Sequence, residues 1–362
     1  MNIMKRIFAQ LVVLSVVFSV SVISSGCTRK GDSAQSSAGK KIVNLAIWSA
    51  YLPPQQIAEF EKKTGIDLRI SNFSSNEELL AKLQAGASGY DVIVPSDYMV
   101  YAMAKLKLLR ELDYSQLSNA KFLDPKLMKR SYDPENKFSV PFAWGTSGIA
   151  VNRSLYSGTI KGWKDFFEKT DFAGRVSLLD DSREVLGAAL KSLGYSINSK
   201  NPEEIKKAKA VILGARSRIK AFSSEPKMPL INGEFAVAHV FSTEALQARE
   251  RTGGKVDYIL PVEGGVLWVD NLAIPTGAQH IKEAYELIDY MIDAATAAAV
   301  VKNVRAGPTN KNTMSLLSPE LQNDPAIFPT EAVMSKFEML EDLGDFLPVV
   351  DRSWTEIKAD SR

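Results

Sequence analysis

VNLAIWSAYLPPQQIAEFEKKTGIDLRI, residues 43 to 70, sets the fold class. VNLAIW (43–48) is a short apolar run of the kind that forms a buried strand. Pro53 and Pro54 then open a helix, because a proline there lacks only an N–H that has no helical partner anyway. Ile57 and Phe60 share one face of that helix, and Gly65 ends it. IDLRI (66–70) is a second strand. A strand, a helix and a strand in so short a span predict an α/β unit.

The same grammar recurs along the chain. Ser75 and Glu78 fit a capping box ahead of ELLAKLQAG, where Leu79, Leu80 and Leu83 form the helical stripe. YDVIVP (90–95) is a third strand, with Ser96, Asp97 and Tyr98 at its carboxyl end. RVSLL (175–179) precedes DDSREVLGAALKSLGY, Asn201 and Pro202 start a helix, and FAVAHVF (235–241) precedes STEALQARER. This alternation predicts parallel or mixed sheets with helices on both faces. Ligands of such sheets bind outside the carboxyl ends of the strands. The side chains just past each strand are therefore the candidates for function.

Those positions hold Trp48, Ser49 and Tyr51; Ser96, Asp97 and Tyr98; Asp180, Asp181 and Glu184; and Ser242 and Glu244. To them GGVLWVDNLAIP (264–275) adds Trp268 and Asp270, which share a face if the run is a strand. Aromatic rings attract ammonium groups, and carboxylates bind them through charge-assisted hydrogen bonds. The set suits an organic cation. Simpler roles compete: Asp181 is a candidate N-cap with Glu184 as its capping-box partner, Glu244 a first-turn acid, and each aromatic a packing residue. Asp270 resists them, since a mid-strand acid beside an indole has no helix to cap, and no Lys or Arg lies in its run. Four acids gathered without a counter-ion would repel one another, a cost that a polycation removes.

MNIMKRIFAQLVVLSVVFSVSVISSGC opens the chain with Lys5 and Arg6 ahead of an apolar stretch, the pattern of an export signal over residues 1–26. Ser24, Ser25 and Gly26 before Cys27 fit the processing site of a bacterial lipoprotein, although the usual leucine three residues before the cysteine is absent. Cys27 is then the lipidated residue, and residues 27–41 a polar tether. Without Lys5 and Arg6, 42 basic residues face 42 acidic ones, so no global field favours nucleic acid. One cysteine excludes an internal disulfide framework, and His239 and His280 alone leave little for zinc or His-based catalysis. Neither a cofactor nor a metal is expected. No nucleophile, base and orienting group converge, so no catalysis is expected either.

From about Val43 onward the chain resembles the spermidine/putrescine-binding proteins that feed polyamine ABC transporters. The marks are WSAYLPP (48–54), DVIVPSDY (91–98), VPFAWG (140–145), LLDDSREV (178–185), EGGVLWVDNLAIP (263–275) and LLSPEL (316–321). The resemblance implies a two-lobed periplasmic-binding-protein fold with a ligand cleft between lobes joined by crossing strands. It places one lobe at about 42–146 plus 269–314 and the other at about 147–268 plus 315–362. It implies aromatic walls and hydroxyls at Trp48, Ser49, Tyr51, Ser96, Tyr98 and Trp268, and amine-binding acids at Asp181, Glu184 and Asp270. Glu244 falls where putrescine-preferring relatives carry an acid. Three positions depart: Ala50 replaces a common acid, Phe241 a tryptophan, and Leu340 or Glu341 occupies the neighbourhood of a ligand-contacting glutamine. The implied function is capture of spermidine or putrescine, with a leaning toward spermidine, and delivery to the importer's permease and ATPase. The protein would be a periplasmic monomer held to a bacterial membrane by its lipid. The rivals are another organic cation, an amino acid or an anion on the same scaffold, and a surface lipoprotein acting as an adhesin or a hydrolase.

Overall fold

The computed structural model describes residues 41–86, 89–172 and 174–360. The expected export signal, Cys27 and the tether up to Lys40 lie outside them. The strands are Ile42–Trp48 (β1), Asp67–Phe73 (β2), Val92–Ile93 (β3), Val140–Asn152 (β4), Val176–Leu179 (β5), Ile219–Ser223 (β6), Val237–Phe241 (β7), Val256–Ile259 (β8), Leu267–Leu272 (β9) and Gly307–Pro308 (β10). The helices are Pro54–Thr64 (α1), Asn76–Gln84 (α2), Asp97–Lys105 (α3), Trp163–Glu168 (α4), Ser182–Ser192 (α5), Pro202–Ala215 (α6), Lys227–Ile231 (α7), Ser242–Arg251 (α8), Ile281–Met291 (α9), Ala294–Val304 (α10), Pro319–Gln322 (α11), Glu331–Met334 (α12) and Leu347–Ala359 (α13).

The opening stretch folds as its sequence predicts. β1, α1 and β2 follow in order, Pro54 is the first helical residue, and Gly65 closes the helix in the left-handed region at φ 70°. β1 runs parallel to both β2 and β3 in a small sheet ordered β2-β1-β3. A second, mixed sheet is ordered β10-β4-β7-β5-β6, with β8 and β9 also paired to β4. β5 is parallel to β6 and β7, whereas β4 is antiparallel to β7, β8, β9 and β10.

β4 is the element that two cores share. Its first half, through Thr146, pairs with β9, and its second half, from Ser147, pairs with β7 and β8. Val140, Phe142 and Ala143 belong to a core built with β1, β9 and α9, while Ile149 and Val151 belong to one built with β5, α5, α6 and α13. β9 is tied in turn to the small sheet: Ile93 and Ala273 exchange backbone hydrogen bonds, and Asn271 N donates to Pro95 O. These crossings bring the ends of β1 and β3 beside Asp270. The capping box over Ser75 and Glu78 is only half made. Ser75 Oγ accepts from Glu78 N, but the Glu78 carboxylate takes the N–H and O–H of Ser74 instead of the N–H of Ser75.

Asp91 holds the small sheet against α9. Its buried carboxylate accepts from Asn44 N and Nδ2 at 2.9 and 2.8 Å, from Gln279 N at 2.9 Å and from His280 N at 3.0 Å, with His280 Nδ1 at 2.9 Å. Burial pushes the Asp91 carboxyl up, but the donors from His280, Asn44 and Gln279 outweigh it and hold the group below the usual range. The resulting stability is present above the unfolded-state pKa near 4 and is lost as pH falls through the lower folded value. Replacing Asp91 by Ala leaves several buried donors unmet, so urea titration at pH 7 should show a loss of about 3 kcal/mol. The difference between parent and Asp91→Ala should shrink as the titrations are repeated toward pH 3.

Candidate functional site

Asp270 stands in β9 opposite Ala143 of β4 and forms a backbone bridge to Ser96. The Tyr51 hydroxyl donates to its Oδ2 at 2.6 Å, and the Ser96 hydroxyl to its Oδ1 at 2.7 Å. Three chain segments thus meet on one carboxylate. Two of them are placed by strand ends: Tyr51 follows β1 through the turn at Ala50, whose φ is 64°, and Ser96 follows β3 as the residue before α3. Asp270 is 4 % exposed. Among the described residues no Lys or Arg forms an ion pair with it. Burial pushes its carboxyl up to about 6, with the two hydroxyls pulling the other way.

Asp97, next to Ser96, is buried as deeply. Its carboxylate accepts from Tyr98 N at 2.7 Å and Val269 N at 3.3 Å, yet burial and the neighbouring Asp270 and Glu184 raise its carboxyl to about 8. Asn76 organises the surrounding hydroxyls. Its Oδ1 accepts from Ser96 N, and its Nδ2 donates to Ser96 Oγ and Tyr98 Oη, each at 3.1 Å. Tyr98 Oη also donates to Glu77 Oε1. Burial, Asp181 and Glu77 all raise the Tyr98 phenol.

The second set of acids comes from the start of α5. Asp181 caps that helix, its Oδ1 accepting from Arg183 N and Glu184 N at 2.8 and 3.0 Å. Glu184 does not complete a capping box. It is 3 % exposed, with Oε1 accepting from the Ser147 hydroxyl at 2.9 Å and Oε2 left without a partner. Burial first, then Asp181, pushes its carboxyl up to about 8, against the pull of Ser147 and Arg183. Asp180, by contrast, turns away to pair with Lys358 at 2.6 Å.

Trp268 lies over Gly145, its cross-strand partner, so closely that a Cβ at 145 would fall 2.3 Å from the indole. Phe241 meets the same ring edge-on at 6.5 Å. Trp48 packs on Phe73 at 4.5 Å. Both indole N–H groups are buried and without a partner, as is one carboxylate oxygen of Glu244. A buried polar atom without a partner is costly in a finished fold and cheap where a ligand supplies the missing group. Ser49 is exposed.

The structure therefore gathers Tyr51, Ser96, Tyr98, Asp181, Glu184 and Asp270 into one electrostatically connected group and adds Asp97 to them. Glu244 stands apart from that group. It lies in the first turn of α8, and after burial, which raises its carboxyl to about 8, the charges acting on it are Lys227 and Glu225. Sequence reasoning missed Asn76, which bonds Ser96 and Tyr98, Ser147, which donates to Glu184, and His239, whose Nε2 lies 3.5 Å from Glu184 Oε2. Leu340 is buried in the first core, and the polar backbone beside it is taken by Asn198 and Arg183. That segment offers no amide side chain in place of the missing glutamine.

Known proteins are similar to this chain over most of its length. The chain is 35% identical over 357 residues to spermidine/putrescine-binding periplasmic protein 1 of Haemophilus influenzae, covering 97% of this chain and 99% of that one. It is 34% identical over 345 residues to the spermidine/putrescine-binding periplasmic protein of Salmonella typhimurium, covering 94% and 99%. Its fold superimposes on the spermidine/putrescine ABC transporter substrate-binding protein PotD of Streptococcus pneumoniae with a TM-score of 0.80 at 31% identity, over 88% of this chain and 98% of that one. That likeness makes the fold the two-lobed periplasmic-binding-protein one, with a ligand cleft between lobes joined by crossing strands. The sequence pattern of the bacterial extracellular solute-binding proteins matches residues 55–330, and the chain belongs to that family.

Proposed function

We propose that this protein captures a polyamine, spermidine or putrescine, and delivers it to the permease and ATPase of an ABC importer. One observation carries the reading: Asp97, Glu184 and Asp270 are buried, Asp97 feels the charge of both others, and among the described residues none of the three forms an ion pair with a Lys or Arg. A buried carboxylate costs several kcal/mol unless it is neutralised or paired. Ammonium groups supply the missing charge, and Trp48, Trp268, Tyr98 and Phe241 supply surfaces for the methylene chain and for cation–π contact. The names of the relatives described above point the same way. In this reading Asp181, Glu184 and Asp270 bind the amines, Tyr51, Ser49 and Ser96 line the cleft, and Glu244 serves one end of a longer ligand, which favours spermidine. The lobes are 42–146 plus 269–314 and 147–268 plus 315–362, the step within β4 falling at the boundary. Lipidation at Cys27 would keep the monomeric protein on a bacterial membrane facing the periplasm.

The buried, unpartnered indole N–H groups of Trp48 and Trp268 favour one rival, since they ask for an acceptor that a polyamine lacks. An amino acid with a cationic side chain would bring a carboxylate. Calorimetric titration with spermidine, putrescine, spermine, lysine and phosphate separates the readings. Polyamine dissociation constants near micromolar, roughly 8 kcal/mol, are expected. Heat from lysine alone would move the assignment to an amino acid.

Two further outcomes follow from the site. Asp270→Asn keeps the shape but removes the charge, and should weaken polyamine binding by about 2 to 4 kcal/mol while the ligand-free melting temperature holds. A collapse of that temperature with affinity unchanged would make Asp270 a structural residue.

The raised carboxyls also couple binding to protons. Asp270, Asp97 and Glu184 bind protons in the folded, unliganded protein up to pH 6 to 8, well above the unfolded values near 4. Their contribution to stability is thus fully present below pH 4 and is lost as pH rises through 6 to 8. An ammonium ligand needs them ionised, so affinity should rise over the same window, with protons released on binding. Thermal melts between pH 5 and 8.5 should show a polyamine-induced shift that grows with pH. A shift independent of pH would mean that these acids do not meet the ligand.

A further inference from the structure

His239 lies in β7 with no exposed surface, and neither of its ring nitrogens has a hydrogen-bond partner among the described residues. A buried imidazole ordinarily anchors one nitrogen on a carbonyl or carboxylate, which fixes its tautomer. Here Nε2 instead faces Glu184 Oε2 at 3.5 Å, and that oxygen is itself unpartnered. The other Glu184 oxygen is occupied by Ser147. Trp163 packs edge-on against the imidazole at 4.7 Å, with its own indole N–H committed to Gly264 O. Packing holds the ring in place while no anchor selects its tautomer.

We propose that His239 is a positioning residue for Glu184, changing tautomer as Glu184 changes charge when the ligand is captured. The proposal rests on the reading of Glu184 as an amine-binding acid. With Glu184 neutral, Oε2–H donates to a bare Nε2 and the ring proton sits on Nδ1. When an ammonium group draws Glu184 into its ionised form, the ring proton sits on Nε2 and is donated to Oε2. The carboxyl loses one proton, the imidazole is neutral before and after, and one proton leaves to solvent. Closing the gap to hydrogen-bond length takes a movement of about 0.5 Å. The bond to the ionised carboxylate is roughly twice as strong as its neutral counterpart, so His239 favours ionisation overall.

The groups that face this pair are consistent with a neutral ring. Asp181 and Arg183 act from α5, Tyr258 from β8 and Asp97 from α3. Asp181 favours an imidazolium, but burial dominates and pushes the ring down to about 3. A ring that carried charge would compete with the ligand for Glu184. A neutral ring that can donate or accept does not.

The test reads the tautomer directly from the imidazole 15N shifts of the labelled protein. The Nδ1–H form should predominate at pH 6 without ligand, and the Nε2–H form with saturating spermidine or, without ligand, above pH 8.5. A single tautomer throughout overturns the proposal. His239→Gln retains a donor and should bind within about threefold of the parent. His239→Met should lose about 10- to 100-fold at pH 7 and raise the midpoint of the Glu184 titration, followed by carboxyl 13C shifts in ligand-free protein. An unmoved midpoint in His239→Met also overturns it, and should that variant not fold, the tautomer measurement on the parent decides. If the parent binds no polyamine, the functional reading fails separately and the ligand-free titrations still decide the role of His239.

Discussion

The site depends on a change of partner within β4. Thr146 pairs with Leu267 of β9, and the next residue, Ser147, pairs with Phe241 of β7. At this step Gly145 makes room for the Trp268 indole, Thr146 N donates to Ser242 Oγ, and the Ser147 hydroxyl reaches Glu184. One strand thereby orients an aromatic wall from one side and an acid from the other. A register slip of a single residue would turn all of these side chains to the opposite face. The two separate cores that flank the step make such a slip costly, because Phe142 and Ile149 are each buried in a different one.

Within that frame the protein treats its buried acids unequally. Asp270 receives two hydroxyl donors and stays nearest the ordinary carboxylate range, near 6. Asp97, although held by two backbone N–H groups, feels both Asp270 and Glu184 and rises to about 8. Near neutral pH the unliganded cleft therefore keeps Asp270 largely ionised and holds much of the remaining charge in reserve as protons. Ionising every acid at once would add mutual repulsion to the desolvation cost. Protonation avoids that cost until a cation arrives, and the hydroxyls of Tyr51 and Ser96 hold Asp270 in position meanwhile.

Strand ends were legible because the signals there are local. Proline at the start of α1, glycine after it, Asn201 before α6 and Asp181 before α5 each act on their own few residues, and each does what its chemistry predicts. Asp270 was legible through the absence of any local role. β4 is not legible as a strand in the sequence, since Pro141, Gly145 and Gly148 interrupt it and burial on both faces removes the alternation that marks a half-exposed strand. Asn76 and His239 were invisible for a different reason. Their partners lie 20 or more residues away in sequence, and nothing about an Asn in a first helical turn or a His inside an apolar strand announces them.

The departures at Phe241 and Leu340 act on the cleft in physically different ways. Phe241 keeps an aromatic ring, set nearly perpendicular to the Trp268 indole at 6.5 Å between centroids. The segment around Leu340 loses polarity instead: the side chain is buried in the first core, Asn198 binds Met339 O and Glu341 N, and Arg183 binds Glu341 O. Arg183 sits one residue from Glu184 and two from Asp181, so the same helix start that carries the acids also clamps the backbone at Glu341. On the proposed reading, discrimination between cations in this cleft then rests on the spacing of the carboxylates and on the donors that brace them. The hydroxyls of Ser147 on Glu184, and of Tyr51 and Ser96 on Asp270, fix where those two carboxylates stand.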